Sequence, residues 1–244
     1  MKLRVSGQLR NSQYLRDAPP RRPPRFGLSR RNVGCASMAS PKIALSAFAG
    51  TFAYLALAVA GWGGVSLYFA HPARVAVAVI FLVLTFVSLF SGGNISPGER
   101  EDRSNRWVLG VFSILSILSA YLSAYTDRKD IWVIDGDAAR WTGVVLLVVG
   151  GTIRLWPVFV LGNRFSGLVA IQKGHKLVTT GIYGVVRNPS FVGLLLSSLA
   201  WNLCFRSIAG MVLTVLMIPA LVARIHAEER MLASQFGAEY EAYR

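Results

Sequence analysis

The chain has 244 residues, of which 53% are hydrophobic and 16% charged, and its mean hydropathy is +0.47. A soluble domain carries about 25% charged residues, so this composition excludes a water-soluble globular protein, while the apolar content and two cysteines exclude a disordered chain or a disulfide scaffold. An integral membrane protein of one domain remains. The net charge of +14 is concentrated at the N-terminus, where residues 1–42 hold ten Lys or Arg against one Asp. We therefore expect no nucleic-acid partner.

The first 40 residues are rich in proline and arginine, with four prolines and three arginines between positions 18 and 25. Such a sequence forms neither helix nor central strand, and we predict a disordered basic tail over residues 1–40, with Met38 as an alternative start. The composition also resembles an organellar transit peptide, and Arg30-Arg31 resembles a twin-arginine signal. A lipoprotein site at Cys35 would need a preceding apolar region that the sequence lacks.

Apolar segments occupy most of the remaining chain. A spanning helix needs about 20 apolar residues to cross about 30 Å of hydrocarbon, and no segment alternates with the period of a barrel strand. We therefore predict an all-α polytopic membrane helix bundle of about six transmembrane helices, followed by a cytoplasmic C-terminal helix. The six helices are predicted within segments 43–73, 75–98, 107–126, 141–161, 188–205 and 207–223.

The lysines and arginines of the connecting loops predict the orientation. The basic tail, the loop 93–106 and the loop 162–189 alternate with loops that carry fewer or diluted positive charges. By the positive-inside rule, both termini and the loop 162–189 are expected on the cytoplasmic side. We divide the membrane part into N-terminal transmembrane helices at 41–140 and a second region at 141–244.

Two features of the second half indicate a ligand site rather than a passive bundle. The loop 172–191 is long for a connection between membrane helices, and Pro189 and Ser190 are suited to begin the following helix. Arg154 lies within an apolar segment, about two turns from its end, where a charge is costly unless it is paired. We expect it to pair with Glu228 or with a ligand carboxylate, although snorkelling to the membrane edge is an alternative.

The segment after the last predicted span carries charged residues at helical spacing. Arg224 and Glu228 are four positions apart, so a helix places them on one face. An apolar stripe of Ile225, Met231 and Phe236 suits a helix that lies on the bilayer or packs under the bundle. The simpler alternative is a surface ion pair worth about 0.3–0.5 kcal/mol.

Four sequence blocks follow one another between positions 150 and 244. They are Arg154-Leu155-Trp156 with Leu161-Gly162 and Phe165-Ser166; Gly174-His175-x-Leu177-Val178-x-x-Gly181-x-Tyr183; Arg187-Asn188-Pro189-Ser190-Phe191-x-Gly193; and Arg224-x-x-x-Glu228-Glu229-x-x-Leu232-x-x-x-Phe236-Gly237-x-x-Tyr240-x-x-Tyr243. In this order the blocks resemble the isoprenylcysteine carboxyl methyltransferase family. Members of that family are membrane enzymes that transfer a methyl group from S-adenosylmethionine.

The resemblance implies that residues 141–244 form a methyltransferase-like catalytic region, and it implies a set of site residues. It assigns Arg224 to the acceptor, and with Glu228 this residue forms the expected catalytic pair. It assigns contacts with the methyl donor to Gln172, His175, Lys176, Leu177, Val178, Tyr183, Asn188, Pro189, Ser190, Phe191 and Glu228. Glu228 suits the donor's ammonium or a ribose hydroxyl, and the ring face of Tyr183 suits the sulfonium. The family usually has His before this proline and Tyr at position 191, so Asn188 and Phe191 are departures from its pattern.

The resemblance also implies the partners. We expect S-adenosylmethionine as donor without a metal, a lipophilic or prenylated acceptor, membrane lipid around the chain, and no obligate protein partner. An arginine fork at position 224 suits an acceptor carboxylate better than an amine. The alternatives are a phospholipid amine methyltransferase, a nicotinamide-dependent membrane reductase, for which no dinucleotide glycine motif is present, and a non-catalytic membrane homologue.

Overall fold

The structure is a computed structural model that describes residues 40–93, 96–172 and 177–244. The predicted basic tail, apart from Ser40, and the alternative start at Met38 lie outside these residues, as do the predicted site residues His175 and Lys176.

The described chain is mostly helical, with one pair of two-residue strands. Its elements are, in order, α1 Pro41–Trp62, α2 Val65–Phe69, α3 Pro72–Ser88, β1 Arg100–Glu101, α4 Trp107–Lys129, α5 Asp137–Leu161, β2 Ala170–Ile171, α6 Pro189–Cys204, α7 Ile208–Phe236 and α8 Ala238–Tyr243.

Four helical runs are long and apolar enough to cross a membrane, and two shorter apolar helices, α3 and α6, accompany them. The four are Pro41–Trp62, Arg103–Lys129, Asp137–Leu161 and Ile208–Phe236. A helix therefore lies in each of the six predicted segments, while the count of six crossings stays a prediction. The expected separate C-terminal helix is largely the continuation of α7, which runs unbroken through position 224 to Phe236.

Two helix boundaries differ from the prediction. The segment 43–73 is not one helix, because α1 ends at Gly63, whose φ of 98° is in the left-handed region that glycine tolerates. The next long helix, α3, begins at Pro72, and the ring nitrogen Nδ1 of the preceding His71 accepts a hydrogen bond from the Ala73 amide at 3.2 Å. The helix α3 ends at Ser88, ten residues earlier than the apolar segment 75–98 suggests.

The bundle exposes apolar side chains and buries polar ones, as expected of a protein surrounded by lipid. Leu45, Ile114 and Val145 are 73%, 61% and 62% exposed, whereas Ser123 and Asn202 are fully buried. Lipid tails cover such apolar surfaces, so the helices associate through close packing and buried hydrogen bonds instead.

Glycines let α5 and α6 approach to backbone contact. A Cβ atom at Gly143 would overlap the backbone of α6 near Cys204, and one at Gly193 would overlap the backbone of Arg154. Small residues at helix interfaces permit this approach in membranes. The contact fixes the end of α5 against the start of α6, where the candidate site lies.

A buried amide ties three helices together. The side-chain oxygen of Asn202 accepts hydrogen bonds from Ser119 and Ser123 of α4 at 2.8 and 2.7 Å. Its nitrogen donates to the Gly210 carbonyl at 2.8 Å and to the Thr214 hydroxyl at 2.9 Å on α7. Every hydrogen-bonding atom of this side chain is thereby satisfied within the apolar bundle.

A charged cluster closes the opposite end of the bundle from the candidate site. The fully buried Asp127 carboxylate pairs with both terminal nitrogens of Arg140 and with Arg206 Nε at 2.9 Å, and Arg206 also reaches Asp130 at 3.2 Å. By sequence, Arg140 and Arg206 belong to the connecting loops with fewer or diluted positive charges, which were used above to predict the orientation. Both are instead held in ion pairs that join the α4–α5 and α6–α7 connections.

The two loops expected on the cytoplasmic side pair with each other through β1 and β2. Arg100 and Glu101 lie antiparallel to Ile171 and Ala170. Two further backbone bonds, from Glu99 to the Ile171 carbonyl at 2.9 Å and from Asp102 to the Val169 carbonyl at 3.0 Å, extend the pairing. The loop before α4 thus braces the loop that forms one wall of the candidate site.

Candidate active site

A cavity of about 190 Å³ lies where the end of α5, the start of α6 and the middle of α7 meet the loop 161–191. Its walls are mainly apolar, including Leu109, Phe112 and Leu194. Four arginines also line it, Arg154, Arg164, Arg187 and Arg224, whereas Glu228 is the single acidic residue among the described lining residues. The cavity therefore combines an apolar body with an excess of positive charge.

Arg224 and Glu228 form the predicted pair on one face of α7, with Arg224 Nε 3.4 Å from Glu228 Oε1. The surface-pair alternative is wrong, because Arg224 is only 4% exposed. Its Nη2 donates to the Gly167 carbonyl at 2.7 Å, and its guanidinium carbon lies 6.0 Å from the centre of the Phe191 ring. Arg224 is thus held on three sides, and Glu228 is 30% exposed beside it.

Arg154 projects from α5 toward the start of α6. Its Nη1 donates to the Ser190 carbonyl at 3.1 Å and to the Ser190 hydroxyl at 2.7 Å. The predicted ion pair with Glu228 is wrong: in the described part of the chain, no carboxylate lies within the 4.0 Å ion-pair distance of Arg154. The helix α6 begins at Pro189, as predicted, so Ser190 occupies its first turn.

Tyr183 lies in the 3-10 turn Gly181–Gly184 and faces the cavity. Burial, with a smaller contribution from the Glu228 carboxylate, raises the pKa of Tyr183, so its phenol stays neutral at physiological pH. The Tyr243 hydroxyl donates to the Tyr183 carbonyl at 2.6 Å. Three residues after this turn, Arg187 forms an ion pair with Glu229 at 3.6 Å, which connects the segment after the turn to α7.

The structure brings most of the predicted site residues together. Those that line the cavity are Leu177, Val178, Tyr183, Asn188, Pro189, Ser190, Phe191, Arg224 and Glu228. Gln172 is buried beside the cavity but is not part of its lining, because its amide nitrogen donates to the Ser96 carbonyl at 3.0 Å. In this conformation Gln172 joins the two paired loops.

Several contributors were not predicted as site residues from the sequence, among them Arg164, Gly167 and Tyr243. Arg164 and Gly167 belong to the cavity wall, and Tyr243 closes it from the C-terminal helix. Tyr243 belongs to the last sequence block of the resemblance, so its spacing after Glu228 was the available indication. The sequence gives no indication of Gly167, because only its backbone carbonyl contributes, by accepting a hydrogen bond from Arg224.

The residues present suit the groups of S-adenosylmethionine. Glu228 offers a carboxylate for an ammonium, Tyr183 an aromatic ring for a sulfonium, and Leu177 and Val178 an apolar wall for an adenine. Among the described residues no three His, Cys, Asp or Glu side chains gather as a metal site.

Comparisons with known proteins identify relatives of this chain. The Phospholipid methyltransferase family profile matches residues 138–239. A probable protein-S-isoprenylcysteine O-methyltransferase of Oryza sativa subsp. indica is 29% identical, over 57% of this chain and 72% of that protein. Protein-S-isoprenylcysteine O-methyltransferase A of Arabidopsis thaliana is 31% identical, over 52% of this chain and 68% of that protein. The chain is also similar in structure to a solved eukaryotic intramembrane Ras methyltransferase, isoprenylcysteine carboxyl methyltransferase. The superposition covers 83% of this chain and 93% of that chain, with 20% sequence identity and a TM-score of 0.42.

The apolar helices and these relatives define the protein as an integral membrane methyltransferase. The chain belongs to the isoprenylcysteine carboxyl methyltransferase family, as the sequence blocks indicated. The alternatives of a nicotinamide-dependent reductase and a non-catalytic homologue find no support among these relatives.

Proposed function

We propose that the protein transfers a methyl group from S-adenosylmethionine to the carboxylate of an S-isoprenylcysteine-like acceptor at the cytoplasmic membrane face. The names of the relatives support the reaction, and the lining of the site supports a lipophilic acceptor, since the cavity is mainly apolar and includes residues of α4, α5, α6 and α7.

The charge of the cavity is the observation that carries the choice of acceptor. Four arginines line the cavity, and Glu228 and Glu229 pair with two of them, so an excess of positive charge remains that favours an anionic acceptor over a cationic amine. Arg224 is the proposed acceptor residue. Its buried guanidinium is positioned by Gly167 and Glu228, and a guanidinium matches a carboxylate in planar geometry.

Methyl transfer to a carboxylate requires alignment more than proton transfer. The donor supplies an electrophilic methyl group when bound, and the acceptor carboxylate is already a nucleophile. The proposed roles of this chain follow: Glu228 holds the donor's ammonium, Tyr183 lies against its sulfonium, Leu177 and Val178 contact its adenine, and Arg224 orients the acceptor. The apolar walls exclude water, which would otherwise weaken these electrostatic contacts.

A phospholipid amine is the competing acceptor, because the matched family profile is described as phospholipid methyltransferase. The purified protein in detergent should be given radiolabelled S-adenosylmethionine with either N-acetyl-S-farnesylcysteine or phosphatidylethanolamine. We expect label in a base-labile methyl ester of the farnesylcysteine. Label in the phospholipid amine alone would overturn the proposed acceptor, and absence of donor binding would overturn the proposed donor.

The cytoplasmic location of the site is proposed from the loop charges. Reporter fusions after Asp130, at the end of α4, and after Arg244 are expected to report opposite sides of the membrane. Reporters on the same side would overturn the six-crossing topology and the orientation derived from it.

A further inference from the structure

Arg154 is a positive charge placed inside the apolar part of a candidate membrane helix. It lies seven residues before the end of α5 at Leu161, about 10 Å along the helix axis. A guanidinium at such a depth is costly unless an anion or a wet cavity stabilises it. Its hydrogen bonds within the described residues come from Nη1 alone, and both go to neutral oxygens of Ser190.

Two of the three other cavity arginines differ from Arg154 in their partners. The third, Arg164, bonds only to the Leu161 carbonyl among the described residues and lies in the turn after α5 rather than within the apolar helix. Arg224 is paired with Glu228 at 3.4 Å, and Arg187 with Glu229 at 3.6 Å. These two guanidiniums are therefore neutralised within the protein. Arg154 lines the same cavity without a described carboxylate, so an anionic group of a ligand would supply the missing charge.

The backbone around Arg154 holds its guanidinium in place. Gly193 of α6 lies in backbone contact with Arg154, so the two helices are closely packed at this point. The two bonds from Nη1 to Ser190 then orient the guanidinium at the first turn of α6. A positively charged side chain fixed in this way is ready to bind an anion with little further ordering.

We propose that Arg154 binds the carboxylate of the methyl donor's methionyl group. This inference rests on the proposed function. We assign the donor's carboxylate to Arg154, rather than the acceptor's, because Arg154 is hydrogen-bonded to Ser190, which lies in the segment proposed to contact the donor. The proposed residue for the acceptor is Arg224 on α7. Glu228 would bind the ammonium of the same methionyl group. The carboxylate and the ammonium would then each contact a side chain of opposite charge, Arg154 and Glu228.

The test compares two donors that differ only in this carboxylate. Binding of S-adenosylmethionine and of its decarboxylated form should be titrated calorimetrically against the detergent-purified full chain. We expect Arg154→Gln to weaken binding of S-adenosylmethionine tenfold to a hundredfold, or ~1.4–2.8 kcal/mol, and to leave the decarboxylated ligand within about threefold of wild type. Arg154→Lys should restore part of the loss, since an ammonium keeps the charge but not the planar fork.

Arg230→Gln is the matched control. It removes the same charge from α7, at an exposed position outside the cavity lining. It therefore reports the long-range effect of one lost positive charge on the two ligands, and we expect that effect to be less than threefold.

Two outcomes would overturn the inference. Equal losses for both ligands in Arg154→Gln would show a structural role only, and a preference for the carboxylated donor lost equally in Arg230→Gln would show general electrostatics. A wild-type chain that binds neither ligand would instead overturn the proposed function, so the two failures are distinguishable.

Discussion

The hydroxyl of Tyr243 donates a hydrogen bond to the backbone carbonyl of Tyr183 at 2.6 Å, across 60 positions of the sequence. This bond joins the last helix, α8, to the 3-10 turn that carries a proposed donor contact. Tyr240, one turn earlier, is buried at 2% exposure and anchors α8. The C-terminal residues therefore form part of the cavity wall.

Removing this bond should loosen the donor site without unfolding the bundle. We expect Tyr243→Phe to weaken S-adenosylmethionine binding about twofold to tenfold, because a neutral hydrogen bond contributes about 0.5–1.5 kcal/mol. Calorimetric titration measures the effect. Tyr121→Phe, at a position 45% exposed on α4, is the control and should bind the donor like wild type.

The pair of Arg224 and Glu228 gives a second prediction, since the two residues are proposed to act on different substrates. Glu228→Ala should weaken donor binding by about 1.5–3 kcal/mol, the range for a hydrogen bond to a charged group. Arg224→Ala should mainly reduce turnover of the farnesylcysteine acceptor, and Arg224→Lys should recover part of it. An ammonium cannot contact both Gly167 and Glu228 as the guanidinium does.

Donor titration and acceptor kinetics on the same variants separate these roles. If Glu228→Ala leaves donor affinity unchanged, the assignment of α7 to the donor site is wrong. Thermal unfolding of each variant should accompany the titrations, because Arg224→Ala also leaves the Gly167 carbonyl without its partner.

Two helical glycines should respond oppositely to the same substitution. A Cβ atom at Gly210 would overlap the side chains of Asn202 and Ser123, whereas nothing lies within 4 Å of the corresponding position at Gly110. We expect Gly210→Ala to destabilise the protein by about 1–3 kcal/mol through overpacking. Gly110→Ala should be neutral or stabilise it by roughly 0.5–1 kcal/mol. Unfolding curves in detergent measure both, and equal shifts would contradict the close contact at Gly210.

The buried carboxylate of Asp127 should be important for stability but not for donor recognition. Asp127→Asn removes the charge that neutralises Arg140 and Arg206, and breaking a buried ion pair in this way costs about 3–5 kcal/mol. We expect a lower midpoint of thermal unfolding with unchanged donor affinity of the folded fraction. Asp135→Asn is the control, because Asp135 lies in the same connection at an exposed position. A marked change in donor affinity at Asp127 would show that this cluster is coupled to the cavity.

Acid should loosen the pairing of β1 with β2. Hydrogen bonds from Arg106 at 2.7 and 2.9 Å lower the pKa of Glu101 below its ordinary value of 4.5. Because the folded-state pKa is the lower one, this ion pair stabilises the loop fully above about pH 4.5 and less as pH falls through the folded-state pKa. We expect the amides of Glu99 and Asp102 to lose exchange protection on acidification, after correction for intrinsic rates.

In Glu101→Gln this protection should be weaker at neutral pH and should show less further loss in acid. Glu239→Gln, at an exposed position of α8, is the control and should retain the wild-type pH dependence. Identical acid profiles for wild type and Glu101→Gln would contradict the role of the ion pair.

Local sequence patterns were sufficient for the helical segments and for part of the site. Hydropathy located a helix in each of six segments, proline and serine at 189 and 190 marked the start of α6, and the four-residue spacing placed Arg224 beside Glu228. Each of these properties depends on residues within one or two helical turns, so the sequence alone carries it.

Contacts between distant segments were decided by the tertiary structure. Sequence reasoning paired Arg154 with Glu228, but the glycine contact between α5 and α6 brings it to Ser190 instead. Likewise Arg140 lies 13 positions from Asp127, on another helix, and becomes a buried partner only because the bundle closes around both. Helical periodicity predicts which residues share a face of one helix. Which residues of another helix pack against that face depends on how closely the two backbones can approach. In this protein small residues on α5 and α6 determine that approach.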